Sequence, residues 1–237
     1  MSARFALWFT AWAGGAASLD DTRDAIIGGD TAHDVAGLPG ADGSVPLILA
    51  LGRLRSAGAT GAGIALPAPG DPLGLAGPVP FNAEAVDAGE AVLVDGAGLG
   101  LVPRATGAGV VWTAYPAVTR RQVPDPSEAI PTLRRTLVHT STALADLDVA
   151  RWRPEAADEL MAVRRGAALP LPDGVSAWAM ELAALALRCR HIVDLALADD
   201  GGAVTADEAD RRRAALAPLD HAARRGLVAA CSFGWGR

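Results

Sequence analysis

Cysteine is scarce in this sequence, and lysine is absent from it. The two cysteines, Cys189 and Cys231, have no CxxC neighbour, so no zinc or redox motif is visible and a disulfide framework is not expected. All 21 basic residues are arginine, and 27 acidic residues outnumber them, which gives a net charge of −6. Binding to nucleic acid requires a basic surface that displaces counterions from phosphates. We therefore expect no nucleic-acid partner.

Long apolar runs are also missing. None approaches the roughly 18 residues needed to cross a bilayer, so we expect no contact with a membrane. The opening segment ARFALWFTAWAGG, residues 3–15, has features of a secretory signal, but its uninterrupted apolar run covers only Phe5 to Phe9. Secretory signals need an apolar region of roughly 7–15 residues. Together with the acidic net charge, which favours solubility, this predicts a cytoplasmic protein.

We interpret the same opening segment as a strand in the centre of a sheet. Successive side chains of a strand point to opposite faces, and both faces of this segment would be largely apolar. That pattern is typical of a strand covered on both sides. We therefore predict a core strand that ends at Gly14-Gly15.

Helix and strand signals are mixed up to residue 122. Ser18 followed by Asp21 is typical of the capped start of a helix, and Asp95-Gly96 is typical of a hairpin turn. We predict an α+β fold with a small, mostly antiparallel sheet and helices packed on it. The further predicted helices are Leu47–Ala57 and Phe81–Ala88, and the predicted strands are Gly63–Leu66, Ala91–Val94, Leu99–Pro103 and Val110–Tyr115.

From residue 123 onward the sequence predicts helices. Two prolines interrupt the chain at Val123-Pro124-Asp125-Pro126, and apolar residues then recur at spacings of three and four, the period of an amphipathic helix. We predict an α+β domain over residues 1–122 and an α-helical, bundle-like domain over residues 123–237, which either fold separately or share one core. Apolar stripes predict helices at Ile130–Leu147 and Trp178–Ala196. A further helix is predicted from Pro154 to about Arg165, and a capping box at Thr205 and Glu208 predicts the start of the last helix.

The glycine-rich motifs do not indicate a nucleotide site. The GxxGxG motif at residues 58–63 follows a predicted helix and leads into a strand, whereas a dinucleotide fingerprint follows a strand and opens a helix. The GxGxG motif at residues 96–100 lies between two predicted strands. We therefore predict turn glycines at both places and no cofactor.

Candidate ligand-binding residues surround a proline-rich loop at residues 67–82. Prolines stiffen this loop, and a stiff loop can preorganise a site. Asp71 and Asn82 are its polar members, and Arg53 and His33 are the polar residues that could join them. The alternative is a rigid connector that crosses the sheet edge. In the segment GGDTAHD, one imidazole and two carboxylates lack a visible fourth ligand, so we predict no metal site.

Candidate partner-binding residues are aromatic. Trp152 lies between two arginines in ARWRPE, and Phe233 and Trp235 lie in the C-terminal segment SFGWGR, which we expect to be a tail outside any helix. Aromatic side chains are frequent anchors of protein interfaces. Such a tail docks either on its own domain or on a partner, and the sequence leaves both alternatives open.

Three segments of the sequence carry a family resemblance. They read LALGRLRSAGATGAGIALPAPGDPLGLAGP, FNAEAVDAGEAV and LDVARWRPE, and they are similar to segments of a family of uncharacterised proteins from GC-rich actinobacteria. The resemblance extends from Phe5 to about Cys231. It implies a cytoplasmic bacterial protein and assigns no catalytic residue.

We expect a non-catalytic function, because no catalytic constellation is visible in the sequence. The leading hypothesis is an accessory or protein-interaction protein that self-associates or binds a protein partner. The alternative is a small-molecule-binding enzyme whose site lies between the sheet and the 67–82 loop.

Overall fold

A computed structural model describes residues 1–75, 77–118, 123–146, 171–198 and 206–233. The chain divides into two units, one of Met1–Val123, Pro170–Ser176 and Cys231–Arg237, and one of Pro124–Leu169 and Ala177–Ala230. The predicted domains 1–122 and 123–237 stay a prediction, because a division by contacts does not show that each part folds alone. Among the described residues, no helix is both long and apolar enough to cross a membrane.

The opening segment is a helix, α1 (Ser2–Ala13), so the predicted strand is wrong. A continuous apolar run fits a buried helix as well as a strand covered on both faces. In the helix, the rings of Phe5 and Phe9 stack with centroids 5.9 Å apart. The carboxylate of Glu90 accepts a hydrogen bond from the backbone N–H of Ser2 at 2.7 Å, which satisfies one free donor of the first turn and complements the helix dipole. This stabilising contact joins residues that are far apart in the sequence.

The capping signal at Ser18 is confirmed. Helix α2 (Leu19–Ile27) begins directly after Ser18, whose hydroxyl accepts a hydrogen bond from the backbone N–H of Asp21 at 3.1 Å. The helix ends at Gly28, where φ is 60°. A Cβ atom at this position would also lie 1.7 Å from Nη1 of Arg4. The positive φ therefore favours glycine here, whereas the end of the flexible Arg4 side chain could move aside.

Six strands in the N-terminal unit form one sheet. They are β1 (His33–Ala36), β2 (Val45–Pro46), β3 (Gly61–Ala65), β4 (Ala91–Asp95), β5 (Leu99–Thr106) and β6 (Gly109–Pro116). Their order is β2-β1-β6-β5-β4-β3, and every neighbouring pair is antiparallel except β1 and β6. The predicted α+β class with a mostly antiparallel sheet is confirmed. Strands β1 and β2 were not predicted from the sequence, because neither is long enough to show a clear alternation.

Helices cover the two faces of this sheet. The remaining helices of the unit are α3 (Leu47–Ser56) and α4 (Val79–Ala88). On one face α1 packs against β3 and β4, and the ring of Phe5 lies 4.9 Å from that of Trp112 on β6. On the opposite face α4 packs against β5, and Phe81 of α4 lies 6.3 Å from Tyr115 of β6.

Two glycines of the GxGxG motif allow close approaches within this unit. A Cβ atom on Gly100 would lie 2.3 Å from Cε2 of the Phe81 ring. Gly96 has a φ of 86°, and a Cβ atom there would lie 2.3 Å from the carbonyl oxygen of Gly58. The motif thus serves a hairpin turn and the packing of α4 on the sheet.

The two edges of the sheet are protected. At the β3 edge, the hydroxyl of Thr10 in α1 accepts the backbone N–H of Ala62 at 2.9 Å, and the whole of β3 is buried. The loop after β3 also returns to this edge, where a Cβ atom on Gly74 would lie 2.8 Å from the carbonyl oxygen of Ile64. At the other edge, β2 has only two residues and ends at Pro46, which lacks an N–H group. Short, proline-containing and helix-covered edges resist pairing with further strands.

The second unit is helical in its described residues. Its helices are α5 (Pro126–Asp146) and α6 (Ala177–Ala198), and α7 (Ala206–Phe233) begins in this unit. The carboxylate of Asp125 accepts the backbone N–H of Ser127 at 2.8 Å and thereby caps the start of α5. The predicted helical C-terminal part is confirmed. The helix predicted from Pro154 to about Arg165, and the capping residue Thr205, lie outside the described residues.

The helices of this unit pack closely around Gly226 of α7. A Cβ atom on Gly226 would lie 3.1 Å from Cδ1 of Leu182 and 3.5 Å from Cδ2 of Leu133. Leu133 and Leu182 are fully buried. The absence of a side chain at Gly226 therefore allows α7 to approach α5 and α6.

Candidate functional site

His33, a predicted ligand-binding residue, is fully enclosed in β1. Its Nδ1 accepts a hydrogen bond from the indole N–H of Trp112 at 3.3 Å, because an indole nitrogen can only donate. Its Nε2 therefore carries the proton and donates to the carboxylate of Asp30 at 2.9 Å. Arg4 of α1 pairs with the same carboxylate at 3.7 Å. Both ring nitrogens of His33 are thus used to hold β1, β6 and α1 together.

The other predicted ligand-binding residues lie in separate places. Arg53 of α3 donates to the carbonyl oxygen of Gly40 at 3.0 Å, and Asp71 closes a tight turn through two backbone hydrogen bonds with Ala68. Asn82 lies on α4, on the opposite face of the sheet from the His33–Trp112 pair. The structure does not bring His33 and Asn82 together. A site between the sheet and the 67–82 loop stays a prediction.

The predicted partner-binding residues lie at or beyond the limits of the described residues. Trp152 and Trp235 lie outside the described residues. Phe233 is the last residue of α7, so the first two residues of the segment SFGWGR lie in a helix. The prediction that this segment lies outside any helix is therefore wrong at its start. The side chain of Phe233 lies outside the described residues.

Both cysteines are poor nucleophiles. Burial raises the pKa of the Cys189 thiol to about 11 and that of the Cys231 thiol to about 12. The thiolate is the reactive form of cysteine, and at neutral pH neither residue is ionised. Within the described ranges, no three His, Cys, Asp or Glu side chains are grouped so that they could hold a metal ion.

Helix α4 has apolar residues on two opposite sides. Its inner side packs Phe81 and Ala85 into the core formed with the sheet. Its outer side carries Val79, Ala83 and Val86, which recur at spacings of four and three and therefore form one stripe. Val79 is 80% exposed and Val86 is 38% exposed. We call these three residues the outer stripe of α4.

Charged side chains border the outer stripe. Arg104 of β5 donates to Glu84 at 2.6 Å and to Asp87 at 3.0 Å, and both acids belong to α4. Nearby, Tyr115 is half-buried beside Phe81. Burial, and next the negative charge of Glu84, raise the pKa of the Tyr115 hydroxyl. The surface around α4 therefore combines an apolar centre with a rim that contains both signs of charge.

This stripe was not predicted from the sequence, because the predicted helix begins at Phe81. Pro78 and Pro80 were interpreted as part of a loop, but proline is well tolerated in the first turn of a helix, and α4 begins at Val79. The sequence VPFNAEAVDA did contain a signal for the stripe, because its apolar residues fall on two opposite sides of a helix. Such a helix is expected to be covered on both sides.

The fold defines the chain as an α+β protein whose C-terminal part is helical. Residues 2–128 match the family model described as "Rv1486c-like protein, N-terminal domain", and residues 127–228 match that described as "Rv1486c-like protein, C-terminal domain". The chain therefore belongs to the Rv1486c-like family. The predicted membership of an uncharacterised actinobacterial family is confirmed.

Two curated relatives come from Mycobacterium tuberculosis. They are the Uncharacterized protein Rv1486c of strain ATCC 25618 / H37Rv and the Uncharacterized protein MT1533 of strain CDC 1551 / Oshkosh. Each is 36% identical over 125 residues, and each match covers 43% of this chain and 43% of the relative. The chain thus aligns with less than half of the length of these relatives. No solved structure gives a significant match.

Proposed function

We propose that this chain is a non-catalytic, cytoplasmic interaction protein that self-associates through the outer stripe of α4. The observation that carries the proposal is the exposure of Val79 and Val86 on the side of α4 that faces away from the sheet. A surface helix of a folded domain normally places polar residues on that side. Exposed apolar surface with a polar rim is typical of an interaction site.

A second copy of the chain suits this surface. Val79 and Val86 lie four residues before and three residues after Ala83, so an antiparallel pair of α4 helices related by a two-fold axis would place each Val79 beside the other copy's Val86. A two-fold interface uses the same patch on both copies and must be self-complementary. The small side chain of Ala83 would let the helices approach closely at the axis. The rim pairs Arg104 with Glu84 and Asp87 within each copy, so the charges that the two copies would present to each other are largely balanced.

The state of the cysteines supports a reducing compartment. Cys189 and Cys231 are buried and unpaired, and disulfides are rare where glutathione and thioredoxin keep thiols reduced. Their raised pKa values also support a non-catalytic role, because a cysteine nucleophile needs a lowered pKa.

The test compares the assembly of paired valine variants. Val79→Glu with Val86→Glu introduces charge into the outer stripe, and Val118→Glu with Val138→Glu is the matched control, since those valines are 53% and 66% exposed elsewhere. Burying a valine side chain stabilises by about 1.5–3 kcal/mol, and a loss of about 1.4 kcal/mol weakens association tenfold. We expect sedimentation equilibrium to show at least a tenfold weaker dimer for the α4 variant and an unchanged dimer for the control. A monomeric wild-type protein, or equal effects of the two variants, would contradict the proposal.

Ligand binding beside the 67–82 loop is a second candidate function. The observation that favours it is the side-chain oxygen of Asn82, which is buried and has no hydrogen-bond partner among the described residues. A buried acceptor without a donor is costly, and a ligand that donates a hydrogen bond would remove that cost. A metabolite that raises the melting temperature of the wild type but not of Asn82→Leu would support a site there. A library without such a compound would count against it.

A further inference from the structure

A small cleft lies in the second unit, between the start of α5 and the middle of α7. Its volume is about 220 Å³. Asp125 and Glu128 line the α5 side, and His221 and Arg225 line the α7 side. Pockets for drug-sized ligands usually measure roughly 300–1,000 Å³, so this cleft suits a molecule of only a few heavy atoms.

The floor of the cleft is apolar and buried. It is formed by Ala129 of α5 and Ala222 of α7, which are 8% and 5% exposed. Ala129 directly follows Glu128, and Ala222 lies one helical turn before Arg225. The two helices therefore present acidic groups on one wall and basic groups on the other, above a floor that cannot pair with either.

Glu128 and Arg225, which line opposite sides of this cleft, do not pair with each other. Within the part of the chain that the structure describes, neither Glu128 nor Arg225 belongs to an ion pair within 4.0 Å. The adjacent Arg224, in contrast, pairs with Asp220 at 2.8 Å along the same helix. An acid and a base that face one cleft without meeting leave room for a molecule between them.

We propose that this cleft binds a small zwitterion of the α-amino acid class. The guanidinium of Arg225 suits the ligand carboxylate, because its planar donors match a carboxylate in two parallel hydrogen bonds. Glu128 accepts from the ligand ammonium on the opposite wall, and Asp125 adds negative charge beside it. The alanine floor accommodates a short aliphatic side chain. This site is separate from the outer stripe of α4, so it does not depend on self-association.

The chemistry of the ligand is tested with simple probes. Isothermal titration with glycine and L-alanine measures binding of the zwitterion, while acetate and methylamine each supply only one of the two charges. We expect glycine or L-alanine to bind at least about tenfold more tightly than either single-charge probe, since a second charge-assisted hydrogen bond contributes more than the roughly 1.4 kcal/mol that corresponds to that factor. Acetate binding as tightly as glycine would overturn the assignment to zwitterions.

Variants then locate the binding site. Glu128→Gln keeps the size of the side chain and removes its charge, and Arg225→Gln removes the guanidinium and shortens the side chain. Both residues are exposed, so the fold should persist as checked by circular dichroism. Arg213→Gln is the matched control, because Arg213 is an exposed arginine of α7 that pairs with Asp210 outside the cleft. We expect each cleft variant to weaken binding at least about tenfold and the control to leave it unchanged. No binding of glycine or L-alanine up to about 10 mM, or equal binding by wild type and both cleft variants, would overturn the proposal.

Discussion

Replacement of Gly100 by alanine should destabilise the protein by a predictable amount. The new Cβ atom would lie 2.3 Å from Cε2 and 2.5 Å from Cζ of Phe81. The Phe81 ring is 1% exposed and packs in a core with Leu93 and Val102, so it cannot move aside freely. Overpacking of a core by a single carbon typically costs about 1–3 kcal/mol. For a chain of this size, each 1 kcal/mol lowers the melting temperature by roughly 2–4 °C.

The assay is urea and thermal unfolding of four variants beside the wild type: Gly100→Ala, Gly52→Ala, Phe81→Leu and the double variant Gly100→Ala with Phe81→Leu. Gly52→Ala is the control, and it should raise stability instead of lowering it. A Cβ atom on Gly52 in α3 would meet nothing within 4 Å, and alanine is favoured over glycine in a helix by up to about 1 kcal/mol. Combining Gly100→Ala with Phe81→Leu should lose less than the sum of the single changes, since the smaller side chain relieves the overlap. A Gly100→Ala protein as stable as Gly52→Ala would refute the packing of α4 described above.

Two further predictions concern ionisable groups. Burial raises the pKa of Glu90, but the Met1 ammonium and the Ser2 amide lower it by more, so the pKa in the folded state lies below the ordinary value of 4.5. A carboxylate whose pKa is lowered by folding stabilises the protein above its unfolded pKa, and this stability is lost as the pH falls through the folded pKa. As the pH is lowered below 4.5, the urea midpoint should therefore decline less steeply for Glu90→Gln than for the wild type. Equal slopes would argue against the contact between Glu90 and α1. Cys189 and Cys231 are buried, and burial raises their pKa values to about 11 and 12. A thiol reagent at neutral pH should therefore label the native protein far more slowly than the unfolded protein. Fast labelling without denaturant would mean that a thiol is accessible.

Local signals were sufficient to predict much of the fold. Asp95-Gly96 marked the hairpin between β4 and β5, and Ser18 marked the start of α2, because turns and caps depend on residues a few positions apart. The opening helix was not predictable in this way. Its apolar run satisfies a strand or a helix, and the contacts that favour the helix, from Glu90 to Ser2 and from Thr10 to Ala62, join distant parts of the sequence.

The candidate surface was harder to predict than the fold. Asp71, Arg53, Asn82 and His33 were selected for their chemical type, yet His33 and Asn82 lie on opposite faces of the sheet. The exposure of Val79 depends on which side of α4 packs against the sheet, and that choice is set by the space that Gly100 leaves for Phe81. Sequence spacing identifies a helix face but does not say whether another element covers it.

The protected edges of the sheet limit the ways in which this protein can change its partners. Pairing along a strand edge recognises backbone and accepts many sequences, whereas contact through helix side chains depends on each residue that faces the partner. With Thr10 on Ala62 at one edge and Pro46 at the other, an associating molecule must recognise side chains. Under the proposed association through the outer stripe of α4, relatives within the family could diverge in their associations through a few substitutions on the outside of one short helix, while the sheet beneath it keeps its sequence and its stability.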